Sequence, residues 1–469
     1  MIIKNTVTLS KSESCNLGPT VRNDLTLENP VYHKNLNLEI PNWNVKKYLQ
    51  YFNYDDDKNL VIPVGYLPEL LKKYPSLKNN ITDLRFEGIE LKNLKFKGKL
   101  RDYQENAVNS MVKRTIGIVQ AATGSGKTVL AINYLCQLKK QTLILVDTIE
   151  LANQWKSSLI KFTNLDEEDI GLYGNNKKEI KPVTIALLQS MHRMDRKTCK
   201  KMNEEFGVVV VDEIHIIAAQ TYYAVINKLK AKYKFALTAT PKREDGLTNV
   251  IFFANGPIIY KIDEDKLKSF LSIPEYKSVA TNYYYPLMVT SDYTYMISDL
   301  SVDEERNDLI VSERNKYPDK QAVILCSRIS QVILLHRKIP DSDFLISTLD
   351  KNKKSYLRSE LGCSDDEVKE FSKKTTKKYR EKVIENLNNK KLNTIISTYK
   401  LFNKGIDVKT LELLLFAGPV RSEVLVKQSR GRIMRKNKNK KSLIIDFIDE
   451  KVELLKVQSW FRKKVLTKK

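Results

Sequence analysis

The residues Ala121-Ala122-Thr123-Gly124-Ser125-Gly126-Lys127-Thr128 follow the apolar run Ile116-Gly117-Ile118-Val119 and precede a helical pattern at Val129-Leu130-Ala131-Ile132. Glycines at this spacing let backbone N–H groups turn inward around an anion, and the helix that follows points its positive end at the same place. Lys127 adds a cation suited to β- and γ-phosphates, and the Thr128 hydroxyl is a ligand for Mg²⁺. The pattern predicts that Ala122, Thr123, Gly124, Ser125, Gly126, Lys127 and Thr128 hold a nucleotide, ATP, with its magnesium. Ala121 stands where such loops usually carry their first glycine. An ordinary glycine-bearing turn is the alternative, and the strand before and helix after weigh against it.

A second constellation begins at Val208-Val209-Val210-Val211, an apolar run that ends abruptly in Asp212-Glu213-Ile214-His215. A carboxylate at a strand end beside a phosphate loop can hold Mg²⁺, usually through water, while its neighbour polarises an attacking water. Asp212 is assigned to the metal and Glu213 to the water. Further on, Phe235-Ala236-Leu237-Thr238-Ala239-Thr240 places two hydroxyls where they can bond back toward Asp212 and His215, coupling nucleotide state to the surrounding fold. Gln428, Arg432 and Arg435 fall on one helical face at spacings of four and three. Fixed guanidinium forks suit the charge that develops on a γ-phosphoryl group, so Arg432 and Arg435 are candidate arginine fingers. A solvated basic helix face is the bland alternative for that stretch.

Elements must carry these groups. From Leu100 onward, strand-like runs at Ile116–Gln120, Thr142–Val146, Val183–Leu187, Val208–Val211 and Phe235–Thr238 alternate with helical patterns. That alternation is the mark of a parallel sheet covered on both faces. A second series follows at Ala322–Cys326, Thr394–Ser397, Leu413–Phe416 and Ser442–Phe447. The expectation is an α/β chain with two tandem parallel-sheet lobes, at 98–260 and 309–469, joined by a linker at 261–308. A small α+β accessory domain at 1–97 precedes them, with helices at Asn44–Asn53 and Leu67–Lys73.

Composition narrows the class. The 469 residues are 42% hydrophobic, and no apolar stretch is long enough to span a bilayer. Five scattered cysteines with no C-x-x-C pair suit a reducing, intracellular compartment and argue against a disulfide framework or zinc site. The net charge of +24 suits a polyanionic partner. An AT-rich coding sequence would also raise Lys and Asn, so charge alone does not establish nucleic-acid binding. The lysine-rich segments at 351–354, 373–382 and 436–441 read most simply as solvated faces.

Taken in order, the motifs resemble those of the superfamily 2 DExH-box helicases over about residues 100–450, and most closely those of the XPB, RadD and phage UvsW group. Leu100-Arg101-Asp102-Tyr103-Gln104 resembles the adenine-reading motif of that family, which implies base contact by Gln104 with Arg101 beside it. Asp212–His215 is similar to the DExH box, and Thr238-Ala239-Thr240 to the coupling motif. Thr398 through Gly405-Ile406-Asp407 resembles the motif that contributes to both ligands, and Gln428–Arg435 the arginine-finger motif. The resemblance implies two RecA-like lobes with ATP and Mg²⁺ bound between them. It further implies nucleic-acid contacts by Thr148, Gln189, Ser327, Arg328 and Thr398. Arg243-Glu244-Asp245 resembles the RED triplet tied to strand separation in XPB, which makes Arg243 the residue expected at a duplex fork.

The implied activity is an ATP-dependent DNA helicase or translocase, serving repair, recombination, replication or transcript release. The likeness to phage relatives suggests a viral or phage source. RNA unwinding is the second reading, and an ATP-switched clamp that does not separate strands the third.

Overall fold

The computed structural model describes all residues except 215–218, 244, 268–269, 287–291, 404–407, 409, 435–440 and 468–469. The chain divides into two units, Met1–Asp263 and Glu264–Lys469.

In the first unit, the N-terminal residues form a five-stranded sheet in the order Asn53–Tyr54, Leu60–Pro63, Thr6–Leu9, Ile2–Ile3, Thr82–Asp83. The helix Lys11–Asp24 packs beside it, started by a reciprocal cap between Ser10 and Glu13. The helix at Leu67–Lys73 forms as its pattern predicts. The helix expected at Asn44–Asn53 does not. Tyr48–Gln50 is instead a strand paired antiparallel with Thr26–Glu28, and Asn29 fixes the pairing by bonding the carbonyls of Lys46 and Lys47. The apolar core of this sheet runs on into Leu247, Val250 and Phe253, so the accessory fold belongs to the same unit as the first motor sheet. Gly65 marks the contact: a Cβ there would lie 2.3 Å from the Phe253 carbonyl oxygen.

That motor sheet has eight strands. Its order is Lys177–Lys178, Ile170–Gly174, Val183–Leu187, Thr142–Val146, Val208–Asp212, Tyr233–Thr238, Ile116–Ala121, Ile258–Ile262. Every neighbour pair is parallel except the first. The central strands are buried throughout, which explains their unbroken Val, Ile and Leu content.

The second unit holds a six-stranded, all-parallel sheet in the order Glu275–Ala280, Leu443–Ile448, Leu413–Phe416, Ala322–Cys326, Thr394–Thr398, Ser342–Leu345. Separate apolar cores cover its two faces. The stretch expected as a linker at 261–308 largely belongs to this unit. Glu275–Ala280 pairs along Leu443–Ile448, and the helix Tyr293–Val302 packs on the helix Ile329–Lys338.

Candidate active site

The strand Ile116–Ala121 delivers the phosphate loop, and the helix Lys127–Leu138 starts immediately after it. Gly124 and Gly126 both take positive φ, at +85° and +80°. Side-chain-bearing residues rarely adopt that region, so the two glycines let the loop turn tightly into the helix. Ala121 is buried as the last strand residue, so a glycine is not needed there. Ser125 is fully buried, with its N–H bonded to the Ala122 carbonyl at 3.1 Å.

The strand Val208–Asp212 is locked between Thr142–Val146 and Tyr233–Thr238, which sets Asp212 at a carboxyl-end edge of the sheet. Glu213 follows in a left-handed conformation, φ +50°, an unfavourable one for a residue with a Cβ and of the kind stored at functional sites. Its Oε1 pairs with Lys127 Nζ at 2.8 Å. Phosphate loop and acidic pair therefore meet through a direct ion pair.

Asp212 is 5% exposed. Burial pushes its carboxyl up to about 6, and the adjacent Glu213 carboxylate adds to the rise. Trp155 Nε1–H donates to its Oδ2 at 2.8 Å. Its Oδ1 is buried and, among the described residues, accepts no hydrogen bond. A buried acceptor left open beside a second carboxylate suits a hard divalent cation, and Thr128, next to Lys127 at the start of its helix, brings a hydroxyl of the same hard-oxygen kind. Asp212 and Thr128 thus fit Mg²⁺.

Gln104 lies against the loop. Its Nε2 donates to the Ser125 carbonyl at 2.9 Å, and its Oε1 accepts from Arg101 N at 3.0 Å. Tyr103 OH reaches the same carbonyl at 3.2 Å and accepts from Arg101 Nη1 at 2.7 Å. The side chain expected to read adenine therefore braces the phosphate loop as well. Thr238 Oγ1 donates to the Thr240 carbonyl at 2.9 Å and accepts from Thr240 N at 3.2 Å, so this hydroxyl closes a local turn.

Arg243, the residue expected at a duplex fork, pairs with Asp245. Its guanidinium grips Asp245 through Nε and Nη2, and the side chain is 8% exposed. Asp245 also caps Leu247 N at 3.1 Å. Thr148 caps the helix Ile149–Phe162, accepting from Leu151 N, and Gln189 is exposed on the helix Leu188–His192. His215, Glu244, Gly405, Asp407 and Arg435 lie outside the described residues.

In the second unit, Ser327, Arg328 and Thr398 come together. They line one cavity of about 890 Å³ at the carboxyl ends of Ala322–Cys326 and Thr394–Thr398. Lys353 and Tyr356 also line it, from a lysine-rich stretch that the sequence marks only as a solvated face. Gln428 is buried on the helix Glu423–Ile433, and the Arg432 guanidinium lies 5.6 Å from the centre of the Phe402 ring. One link escaped the sequence reading: nothing in the letters pairs the indole of Trp155 with Asp212.

A parallel sheet carrying a phosphate loop, an adjoining metal-competent carboxylate and a second parallel-sheet unit define a P-loop nucleotide-hydrolysing motor. Residues 97–243 match the family described as "Type III restriction enzyme, res subunit", and residues 305–437 match "Helicase conserved C-terminal domain". The putative helicase 161L of Invertebrate iridescent virus 6 is 29% identical over 85% of this chain and 86% of its own length. A protein named DNA 3'-5' translocase XPB2, from Sulfurisphaera tokodaii, is 24% identical over 86% of this chain and 96% of its own. Among solved structures, a fragment of a putative HsdR subunit of a type I restriction enzyme from Vibrio vulnificus covers 90% of this chain and 78% of itself. Its TM-score is 0.51 at 17% identity, a likeness of fold. The chain belongs to the superfamily 2 helicases, related within them to the XPB proteins, and is an ATP-hydrolysing enzyme that binds nucleic acid.

Proposed function

We propose that this helicase acts on DNA, coupling ATP hydrolysis to movement along the strands or their separation. The observation that carries the reading is the meeting of Lys127, Asp212 and Glu213 at the phosphate loop, with Asp212 Oδ1 left open. The relatives named as DNA helicases and translocases supply the choice of polymer.

In this reading the loop amides around Gly124 and Gly126 and the Lys127 ammonium bind the phosphates, and Lys127 exchanges its Glu213 partner for them. Glu213, released, orients the attacking water and takes its proton. Magnesium on Asp212 and Thr128 would neutralise charge on the transferred phosphoryl group. Gln428, Arg432 and Arg435 supply the polar and cationic groups that meet the charge on the transferred phosphoryl group. Arg101 and Gln104 hold the base side, with Gly405 and Asp407 closing the site. His215, Thr238 and Thr240 pass nucleotide state onward.

DNA is held mainly through its phosphates by Thr148, Gln189, Ser327, Arg328 and Thr398, assisted by the Arg243-Glu244-Asp245 loop and the surface of residues 1–97. Such contacts are sequence-independent and weaken steeply with salt.

The test is ATP hydrolysis without nucleic acid and then with single-stranded DNA, forked DNA or RNA, using Lys127→Ala as the inactive reference. Stimulation by DNA, absent in that variant, is expected. Stimulation by RNA alone would overturn the choice of polymer. Stimulation by neither, from folded protein, would overturn the motor reading.

A further inference from the structure

Trp155 sits in the middle of the helix Ile149–Phe162, 1% exposed, and its indole N–H meets Asp212 Oδ2 at 2.8 Å. An indole can donate but cannot accept, so this bond fixes which carboxylate oxygen faces inward. The other oxygen, Oδ1, is then the one presented without a protein donor among the described residues. A tryptophan that served only to fill the core would need some partner for its N–H. Here that partner is the carboxylate on which the phosphate site depends.

The helix bearing Trp155 has two further ties. It packs against Lys127–Leu138, the helix that begins with the phosphate-loop lysine. It also starts at Thr148, whose hydroxyl caps its first turn. The strand feeding that helix, Thr142–Val146, is in fixed register with Val208–Val211, the strand leading to Asp212. With the strands in register, the indole is a direct link from this helix to the carboxylate.

We infer that Trp155 is a positioning residue. It orients Asp212 toward the magnesium of bound ATP, and it transmits nucleic-acid engagement at the Thr148 end of its helix to that carboxylate. The second half rests on the DNA reading above; the first half does not.

The full-length chain is tested as Trp155→Phe, which removes the N–H and keeps an aromatic ring. If that variant is poorly folded, Trp155→β-(3-benzothienyl)alanine keeps the bicyclic shape and replaces N–H by sulfur. Leu159→Ala, a buried residue one turn further on, controls for general loosening of the helix. The first readout is equilibrium binding of a fluorescent, non-hydrolysable ATP analogue titrated with Mg²⁺. The Mg²⁺ concentration for half-maximal tight binding should rise about 10-fold, with binding in chelator unchanged, since removing a group that orients a metal ligand typically weakens metal affinity by about 10–100-fold. The second is the ratio of DNA-stimulated to basal hydrolysis at saturating Mg²⁺, which should fall while KM for ATP holds.

Unchanged Mg²⁺ dependence in the folded Trp155 variant, or an equal shift in Leu159→Ala, overturns the orienting role. A shifted Mg²⁺ dependence with full DNA stimulation overturns the transmitting role alone. If the unaltered protein shows no DNA stimulation, it is the DNA reading that fails, and the Mg²⁺ titration still decides the first half.

Discussion

Each unit places two buried or half-buried carboxylates at or near the carboxyl end of a buried strand, and the two pairs are treated in opposite ways. In the second unit, Asp446 accepts from Arg462 Nε at 2.9 Å and from Tyr276 OH at 3.2 Å. Asp449 accepts from Arg306 Nε at 2.7 Å and from Thr281 Oγ1 at 2.6 Å. Both arginines are 1–2% exposed, and Arg306 also bonds the Ala417 carbonyl. In the first unit, Asp212 accepts from the neutral Trp155 indole and keeps one oxygen open among the described residues, and Glu213 pairs with a lysine suited to phosphate. The same element ends thus serve two purposes. Where the chain supplies its own cations, the carboxylates hold the fold together. Where a carboxylate oxygen is left open among the described residues, as at Asp212, it is suited to a ligand.

Breaking the first unit's pair should affect chemistry far more than folding. Glu213→Gln is expected to lower kcat by about 10²–10⁴-fold, the usual share of a general base. Its thermal unfolding should stay near that of the unaltered chain, because the side chain is not part of an apolar core. Steady-state hydrolysis and a melting curve on the same preparation check both halves.

The second unit's pair should respond in the reverse sense. Arg306→Ala leaves Asp449 buried without its cation and should cost about 3–5 kcal/mol of stability. Replacing both partners, Arg306→Met with Asp449→Leu, should cost much less, because no charge is then stranded. Denaturant unfolding of the single and double variants measures the difference. Equal losses would mean that the pair's contribution is its packing.

Asp212→Asn sharpens the contrast by a smaller amount. It removes a desolvated charge beside Glu213, so the nucleotide-free protein should gain about 1 kcal/mol while hydrolysis is lost, the trade expected at a site built for function. A rise in melting temperature without nucleotide, together with a lost Mg²⁺ requirement for nucleotide binding, is the expected result.

The contrast also explains how much could be read in advance. The central strands and the phosphate loop are legible because each depends on local rules: unbroken apolar runs for a doubly covered sheet, and glycines where φ must be positive. Edge strands were not. Glu275–Ala280 alternates charged and apolar residues with no face fully buried, and so resembled a linker. Ile258–Ile262 is likewise half exposed. The expected helix at Asn44–Asn53 failed because Tyr48–Gln50 finds a partner strand some twenty residues upstream, and distant pairing is invisible to local periodicity. At the site, the pairings between side chains are not legible in the letters. Lys127 with Glu213, Trp155 with Asp212 and Arg243 with Asp245 depend on register, burial and loop geometry, which only the fold supplies.

The first unit also holds a third kind of buried charge, a lone amine. Lys234 in the strand Tyr233–Thr238 is fully buried and donates to the carbonyls of Leu229 at 2.6 Å and Ile226 at 3.2 Å. Burial, with the nearby Arg85 adding to it, pushes its pKa down to about 7. In the unfolded chain the same amine titrates near 10.5. Because the folded value is the lower one, the unfolded state holds more protons between these limits. Stability from this residue is therefore full above the unfolded value, declines as pH falls toward about 7, and levels off below that. Relative to Lys234→Met, the unaltered protein should gain stability as pH rises from 7 to 9.5, by up to about 1.4 kcal/mol per pH unit. Melting temperatures of both proteins at several pH values between 6 and 9.5 test the sign: a difference flat with pH would mean that the buried amine keeps its proton on the carbonyls throughout.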